Sequence, residues 1–171
     1  VTGLKEVTGI AMPMVITNGN PIDPLVTDVS SAMDLVTALD TYESRAIRIT
    51  GSLPGAFISA GAPQVATPIT TAGLTDPNLR LRMPEAIRAQ FALGAGCSAT
   101  VDYGVMWRFN AVAQPSVYNA ADLTNMSCAA PTVVSAVPLS ATEVVVNFDR
   151  PLDPATVDLA DFTFDNGLTA M

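Results

Sequence analysis

The sequence predicts a mainly β-structured protein with two short helices. Stretches in which apolar and polar residues alternate recur along the chain, for example at residues 45–53 and 79–83. Glycine- and proline-rich segments separate these stretches and are typical of turns. Helix signals occur in only two short segments. The length of 171 residues suits one domain, or one domain with part of another.

Residues 1–29 are predicted to form an extended lead-in with a short strand that packs on the main body. Asparagine and proline are frequent there and indicate turns. The first helix is predicted over residues 30–42. Ser30 or Ser31 can cap its start, and apolar residues then recur at intervals of three and four, which places them on one face.

The strands of the central domain follow the alternating stretches. Residues 45–53 predict a half-buried strand with Ile47 and Ile49 on its inner side. A turn leads to a partner strand at residues 56–60. Residues 61–76 are rich in Gly, Pro and Thr and are predicted to be a loop.

A second alternating stretch, residues 79–83, predicts a strand with its leucines and methionine inward. Pro84 then begins a short helix, since proline is favoured at the first helical position. Strands are expected at residues 97–106 and 111–118. Between them, residues 107–110 are predicted to form a tight corner or bulge.

The chain has two cysteines, Cys97 and Cys128, and no histidine. One pair predicts a disulfide formed in an oxidising compartment, so an extracellular, cell-surface or periplasmic location is expected. The alternative is two buried free thiols in a cytosolic protein. Without histidine, Ser–His–Asp and Cys–His catalysis are excluded, and no metal site or cofactor is expected.

The net charge of −8 makes nucleic acid an unexpected partner, because phosphate binding needs a basic surface. No apolar run is long enough to predict a membrane span.

After residue 128 the sequence predicts a second module with strands of its own. Strands are predicted at 133–136 and 143–148, and a third begins at 162–164. A β-sandwich needs about seven strands. The module at 129–171 is therefore predicted to be truncated, with open strand edges covered by the first module, a partner or another copy.

The order strand, strand, strand, short helix, strand, strand over residues 45–118 resembles an OB-fold barrel. The segments beginning Arg45-Ala-Ile-Arg-Ile-Thr-Gly-Ser, Met106-Trp-Arg-Phe-Asn and Gln114-Pro-Ser-Val-Tyr are similar to OB-like modules of secreted bacterial nucleases and multidomain surface proteins. The resemblance implies that residues 30–128 form an OB-like five-stranded barrel.

The segment 131–164 is similar to the first half of the Ig-like modules of bacterial S-layer and cell-surface proteins. The similarity lies in Pro131-Thr-Val-Val-Ser-Ala, Thr142-Glu-Val-Val-Val-Asn-Phe, Pro151-Leu-Asp-Pro and Phe162-Thr-Phe. Such modules act as spacers and display elements. The resemblance implies a multidomain secreted or surface protein.

The strongest candidate ligand site combines three arginines with three aromatic residues. On an OB barrel, such residues near one face bind oligomers by stacking and charge. Alternatively, the first two arginines are solvated partners of Glu85 and Asp102, and the tryptophan caps the core. The site residues are Arg80, Arg82, Tyr103, Trp107, Arg108 and Phe109.

No catalytic residue is predicted. Glycoside cleavage needs two carboxylates at a set distance, and nothing in the sequence fixes the separation of the pairs Glu85 with Asp102 or Asp34 with Glu43. Acidic residues also cluster near the end of the chain without a calcium-loop spacing, which favours a solvated turn. These are Asp149, Asp153, Asp158, Asp161 and Asp165.

Two functional hypotheses follow. The first is a non-catalytic structural or interaction module that contacts other domains of its parent chain or other copies of itself, assembling through strand edges. The alternative is an accessory domain that binds an oligonucleotide or oligosaccharide for a secreted hydrolase.

Overall fold

The computed structural model describes residues 19, 21–150, 152 and 157–163. The chain divides into two compact units, Val1–Cys128 and Ala129–Met171, and each is described by itself. The short strand predicted near the start of the lead-in lies outside the described part of the chain.

The first unit is built almost entirely from strands. They are β1 (Thr27–Asp28), β2 (Ala46–Leu53), β3 (Ile58–Ser59), β4 (Gln64–Thr70), β5 (Thr75–Pro84), β6 (Cys97–Phe109), β7 (Val112–Ser116) and β8 (Leu123–Cys128). Two short helices, α1 (Leu39–Tyr42) and α2 (Glu85–Gln90), and two 3₁₀ turns, Asp23–Leu25 and Ala120–Asp122, complete its described part.

Five of these strands close into a barrel. Their order is β2-β4-β5-β7-β6, and β6 pairs again with β2. The β5–β7 pair is parallel and the others in the ring are antiparallel. Helix α2 connects β5 to β6. The predicted fold class is confirmed: the protein is mainly β, with two short helices and an OB-like barrel.

The barrel interior is filled by alternate residues of the strands. Leu79, Leu81 and Met83 of β5 are fully buried, as predicted, and Ile47 and Ile49 of β2 face them from another wall. Because side chains on a strand point to opposite faces in turn, the residues between these project outward. The core thus determines which side chains reach the outer surface.

Strand β2 gains a second partner, β4, next to a glycine. Gly51 pairs with Ala99 of β6, and the next residue, Ser52, pairs with both Ser98 and Thr70 of β4. A Cβ atom on Gly51 would lie 2.5 Å from the carbonyl oxygen of Thr70. The close backbone approach that closes the barrel therefore needs a residue without a side chain.

The helix predicted over residues 30–42 is wrong except for its last turn, α1. Ser30 does not cap a helix: its hydroxyl donates to Asp28 and accepts a hydrogen bond from the backbone of Thr50 in β2. Its carbonyl accepts a hydrogen bond from Gly73. These contacts hold the segment around Ser30 against the barrel. Leu35, from the same predicted helix, is buried in the core although it is not helical.

The loop predicted at residues 61–76 is also wrong, because it contains the barrel strand β4. Ala66, Thr67 and Ile69 of this strand are buried. Its proline, Pro68, lies between the pairing with β3 at Ala66 and the pairing with β2 at Thr70. A proline is tolerated where one strand edge lacks a neighbour.

The corner predicted at residues 107–110 is instead the end of a long strand, β6. The turn falls at Asn110, which has a φ of 54°, and Ala111. The irregularity of β6 lies earlier, where its register against β2 shifts between Val101 and Gly104. This shift places Trp107 and Phe109 on the outer face of a regular hairpin.

The predicted disulfide between Cys97 and Cys128 is present. The two cysteines are register partners at the start of β6 and the end of β8. The bridge therefore fixes the last strand of the first unit to the barrel.

In its described residues the second unit holds one antiparallel strand pair, β9 (Val133–Pro138) and β10 (Val144–Phe148), and a 3₁₀ turn at Leu159–Asp161. The third strand predicted from Phe162 lies partly outside the described residues. None of the helices in the described part of the chain has the length and apolar character needed to cross a membrane.

Candidate functional site

The outer face of β5, β7 and β6 brings together side chains that are distant in sequence. Inward-facing leucines and Met83 in β5 direct Arg80 and Arg82 outward. In β6 the buried Met106 directs Trp107 outward, where it pairs in register with Gln114 of β7. The alternation of three separate strands thus produces one composite surface.

This surface contains a concavity of about 500 Å³, called here the outer-face groove. Residues 58–61 form one side of it. Across the strands it is lined by Ala66, Arg80, Trp107, Phe109, Val112 and Gln114.

The aromatic residues of the groove form a short stack. The ring centroids of Trp107 and Phe109 are 6.3 Å apart, with an angle of 26° between the planes. The guanidinium carbon of Arg82 lies 4.5 Å from the centroid of the Trp107 ring, within cation–π range. Phe109 is 48% exposed. Phe109 therefore offers more exposed aromatic surface in this groove than the half-buried Trp107.

Arg80 and Arg82 each form fewer hydrogen bonds than their guanidinium groups can donate. Arg80 donates from Nε to the carbonyl of Pro77 at 2.9 Å. Arg82 donates from Nη1 to the hydroxyl of Tyr118 at 3.3 Å, and its buried Nε has no partner among the described residues. A guanidinium carries five N–H donors, so both side chains retain capacity for an acceptor.

The alternative pairing of these arginines with Glu85 and Asp102 is wrong. Glu85 binds Arg88 on the same helix, which holds the pKa of the Glu85 carboxyl below its usual value. Asp102 binds Arg48 at 3.0 Å. Arg80 and Arg82 take no part in these ion pairs.

Gln114 is a buried polar residue in the lining of the groove, and the sequence did not identify it as a site residue. The residue is only 6% exposed, and its Oε1 atom has no hydrogen-bond partner among the described residues. A buried acceptor without a partner costs about 1–3 kcal/mol. Nothing in the local sequence marks this glutamine, because its burial depends on the neighbouring strands.

The groove differs in charge from the molecule as a whole. The chain carries a net charge of −8. None of the described residues that line the groove is acidic, whereas Arg80 lines it and Arg82 borders it through Trp107. The groove is therefore locally basic on an acidic protein.

Two of the six predicted site residues lie elsewhere. Tyr103, at the β6 irregularity, donates its hydroxyl to Asp23, and this hydrogen bond raises the pKa of the tyrosine. Arg108 points to the opposite side of β6 from Trp107, where it binds Asp40 at 2.8 Å and Glu43 at 3.4 Å. The structure thus brings together Arg80, Arg82, Trp107 and Phe109.

Other described carboxylates form structural contacts. Asp34 accepts a hydrogen bond from Tyr42. In the second unit, Asp149 accepts from Thr132, and Asp158 and Asp161 bind backbone amides of their own turn. Within the described residues there is no cluster of three or more His, Cys, Asp or Glu side chains that could hold a metal ion. Asp153 and Asp165 lie outside those residues.

The second unit has an apolar concavity of its own, of about 600 Å³. Val146 and Phe148 of β10 and Ala136 of β9 line one wall. Valines elsewhere in this strand pair are exposed, with Val134 at 67%. The β9–β10 pair therefore presents an apolar surface.

The comparisons with known proteins identify no relative: no family model, no curated protein and no solved structure matches this chain.

Proposed function

We propose that this chain is a non-catalytic interaction module of a secreted or surface protein, and that its barrel binds a ligand in the outer-face groove. The observation that carries the proposal is the stack of Arg82, Trp107 and Phe109 on one outer face. Aromatic platforms bind the rings of oligosaccharides and oligonucleotides, and arginines beside them add charge. The module would hold such an oligomer for a neighbouring part of its parent protein.

The disulfide supports a location outside the cytosol, since disulfides persist in oxidising compartments. We place the protein at the cell surface, in the extracellular space or in the periplasm.

The single tryptophan makes this proposal testable, because Trp107 is its own fluorescent reporter. Short glycans and short single-stranded DNA are titrated at low salt while tryptophan emission is followed. A saturable change in emission is expected for at least one probe. Phe109→Ala should weaken that binding about tenfold or more, since ring stacking contributes about 1–3 kcal/mol.

Leu25→Ala is the matched control, because Leu25 is an exposed apolar residue on the 3₁₀ turn before β1 and does not line the groove. This variant should bind the probe with the same affinity as the unmodified protein. The proposal fails if no probe alters the emission at ~0.1 mM in low salt, where the electrostatic contribution is largest.

We propose assembly through β9 and β10 as a second function, carried by the exposed valines of the second unit. Two strands alone are at best marginally stable in water, and a strand edge that no described residue of this unit covers can pair with another chain. Sedimentation velocity should show association that increases with protein concentration. Val134→Lys should suppress it, whereas Thr142→Lys, in the turn between the strands, should not. Monomers alone at high concentration would exclude this function.

A further inference from the structure

We infer that the ligand of the outer-face groove is an acidic oligosaccharide, with a sugar carboxylate held by Arg82 and a sugar ring packed on Phe109. The inference rests on the proposed binding function and specifies its ligand class. It follows from the charge of the groove, the open hydrogen-bonding capacity of Arg82 and the place of the groove on the barrel.

Arg82 is held in place for a carboxylate. Its guanidinium carbon lies 4.5 Å from the centroid of the Trp107 ring, and its Nη1 donates a hydrogen bond to the Tyr118 hydroxyl, so two contacts restrain the group. A fixed guanidinium binds a carboxylate more strongly and with better-defined geometry than a mobile one. No described acidic residue lines the groove to compete for this position.

The geometry favours a sugar ring beside this cation. Phe109 offers an exposed apolar ring, and the C–H face of a pyranose is flat and apolar enough to pack on it. The Gln114 side chain at the floor adds an amide for sugar hydroxyls. A volume of about 500 Å³ is within the range of small-ligand sites and suits a short oligomer.

Nucleic acid fits this groove less well. Its affinity comes mainly from neutralising many phosphates, whereas one arginine, Arg80, lines the groove and one, Arg82, borders it on a chain of net charge −8.

An extended acidic peptide fits less well too. Such peptides bind sheets by adding a strand at a free edge. The arginine and aromatic residues of the groove instead lie on the face of β5, β7 and β6, which are paired with each other.

The decisive experiment compares matched ligands that differ in charge. Isothermal titration calorimetry at low salt is carried out with oligomers of galacturonate, of alginate and of hyaluronan, each beside its methyl ester. The acid form of at least one oligomer should bind at least ten times more tightly than its ester. An eight-nucleotide single-stranded DNA and an oligoglutamate peptide complete the panel.

Variants then test whether Arg82 is the residue that recognises the carboxylate. Arg82→Ala should remove the preference for the acid over the ester, and Arg80→Ala should reduce it. Arg45→Ala is the control, because Arg45 is an exposed arginine that does not line the groove, and it should retain the full preference. Circular dichroism of each variant establishes that the barrel is folded.

The outcomes separate this inference from the proposed function. Equal affinity for acid and ester, or tighter binding of the DNA or the peptide, overturns the acidic-oligosaccharide inference while ligand binding stands. A preference that survives Arg82→Ala also overturns it. If no member of the panel binds, both the inference and the proposed function fail.

Discussion

At the scale of single residues, the contact between Arg82 and Trp107 depends on a third strand. Arg82 lies in β5 and Trp107 in β6, and β7 runs between them. The β7 residue paired with Arg82 is Ser116, and the β7 residue paired with Trp107 is Gln114. Alternation in the sequence predicts that Arg82 points outward. It does not predict the neighbour that Arg82 meets, because that depends on strand order.

Tyr103 and Asp23 provide a prediction at this scale. The hydrogen bond from the tyrosine hydroxyl to the carboxylate, followed by the nearby negative charge, raises the pKa of Tyr103 above 10. Since the raised pKa belongs to the folded state, the stability from this contact is complete below pH 10. It is lost as the pH rises through the folded-state pKa.

Phenolate absorbance at 295 nm measures this titration. The difference between the unmodified protein and Tyr103→Phe should show a midpoint above pH 10. Asp23→Asn should lower that midpoint, and Asp76→Asn should leave it unchanged. A difference titration with a midpoint at or below pH 10 would show that the contact is absent.

Gly51 gives a second prediction for a single residue. Its alanine variant should lose about 1–3 kcal/mol in the free energy of unfolding, because the new Cβ would lie 2.5 Å from the Thr70 carbonyl oxygen. Urea denaturation measures the loss.

Gly55 is the matched control in the adjoining turn. A Cβ there would meet nothing closer than 3.5 Å, so Gly55→Ala should change stability by about 0.5 kcal/mol or less. Equal effects of the two variants would contradict the close approach of β2 and β4 at Gly51.

At the scale of elements, the sequence predicts strands well where one face alone is apolar. Strand β5 alternates between buried and partly exposed residues over its second half, and the prediction for 79–83 is confirmed. Strand β4 was missed because Pro68 and the surrounding Gly and Thr residues are typical of loops. The helix at 30–42 failed because the contacts of Ser30 with Asp28, Thr50 and Gly73 outweigh helix propensity.

The disulfide gives a prediction for the element it fixes. Cys97→Ala combined with Cys128→Ala should lower the free energy of unfolding by about 3.5–4 kcal/mol, the loop-entropy value for a closure of this length. Chemical denaturation without reductant measures the change, and the unmodified protein in excess reductant should show a similar loss. Unaltered stability would mean that the bridge does not constrain the unfolded chain.

At the scale of the whole molecule, apolar surface is divided unequally between the units. The buried hydrophobic residues of the described chain all lie between Val29 and Leu123, in the first unit. The described strand pair of the second unit keeps most of its valines exposed. The described hydrophobic core is therefore that of the barrel, and the strand pair presents exposed apolar side chains.

Charge is divided unequally as well. The acidic residues give the chain its net charge of −8, and the described lining of the outer-face groove contains none of them. Composition alone predicts an acidic molecule for which nucleic acid is an unexpected partner. The basic groove could not be predicted from composition, because it arises only when β5, β6 and β7 place two arginines beside one aromatic pair.

The central claim is that the outer-face groove at Trp107 is the binding site, and one measurement tests it most directly. Because Trp107 is the single tryptophan, its indole N–H gives one resonance in a proton–nitrogen correlation spectrum. During titration with the ligand that calorimetry identifies, this resonance should shift progressively and saturate at the calorimetric affinity. A resonance that stays in place while calorimetry reports binding would put the ligand elsewhere and contradict the account.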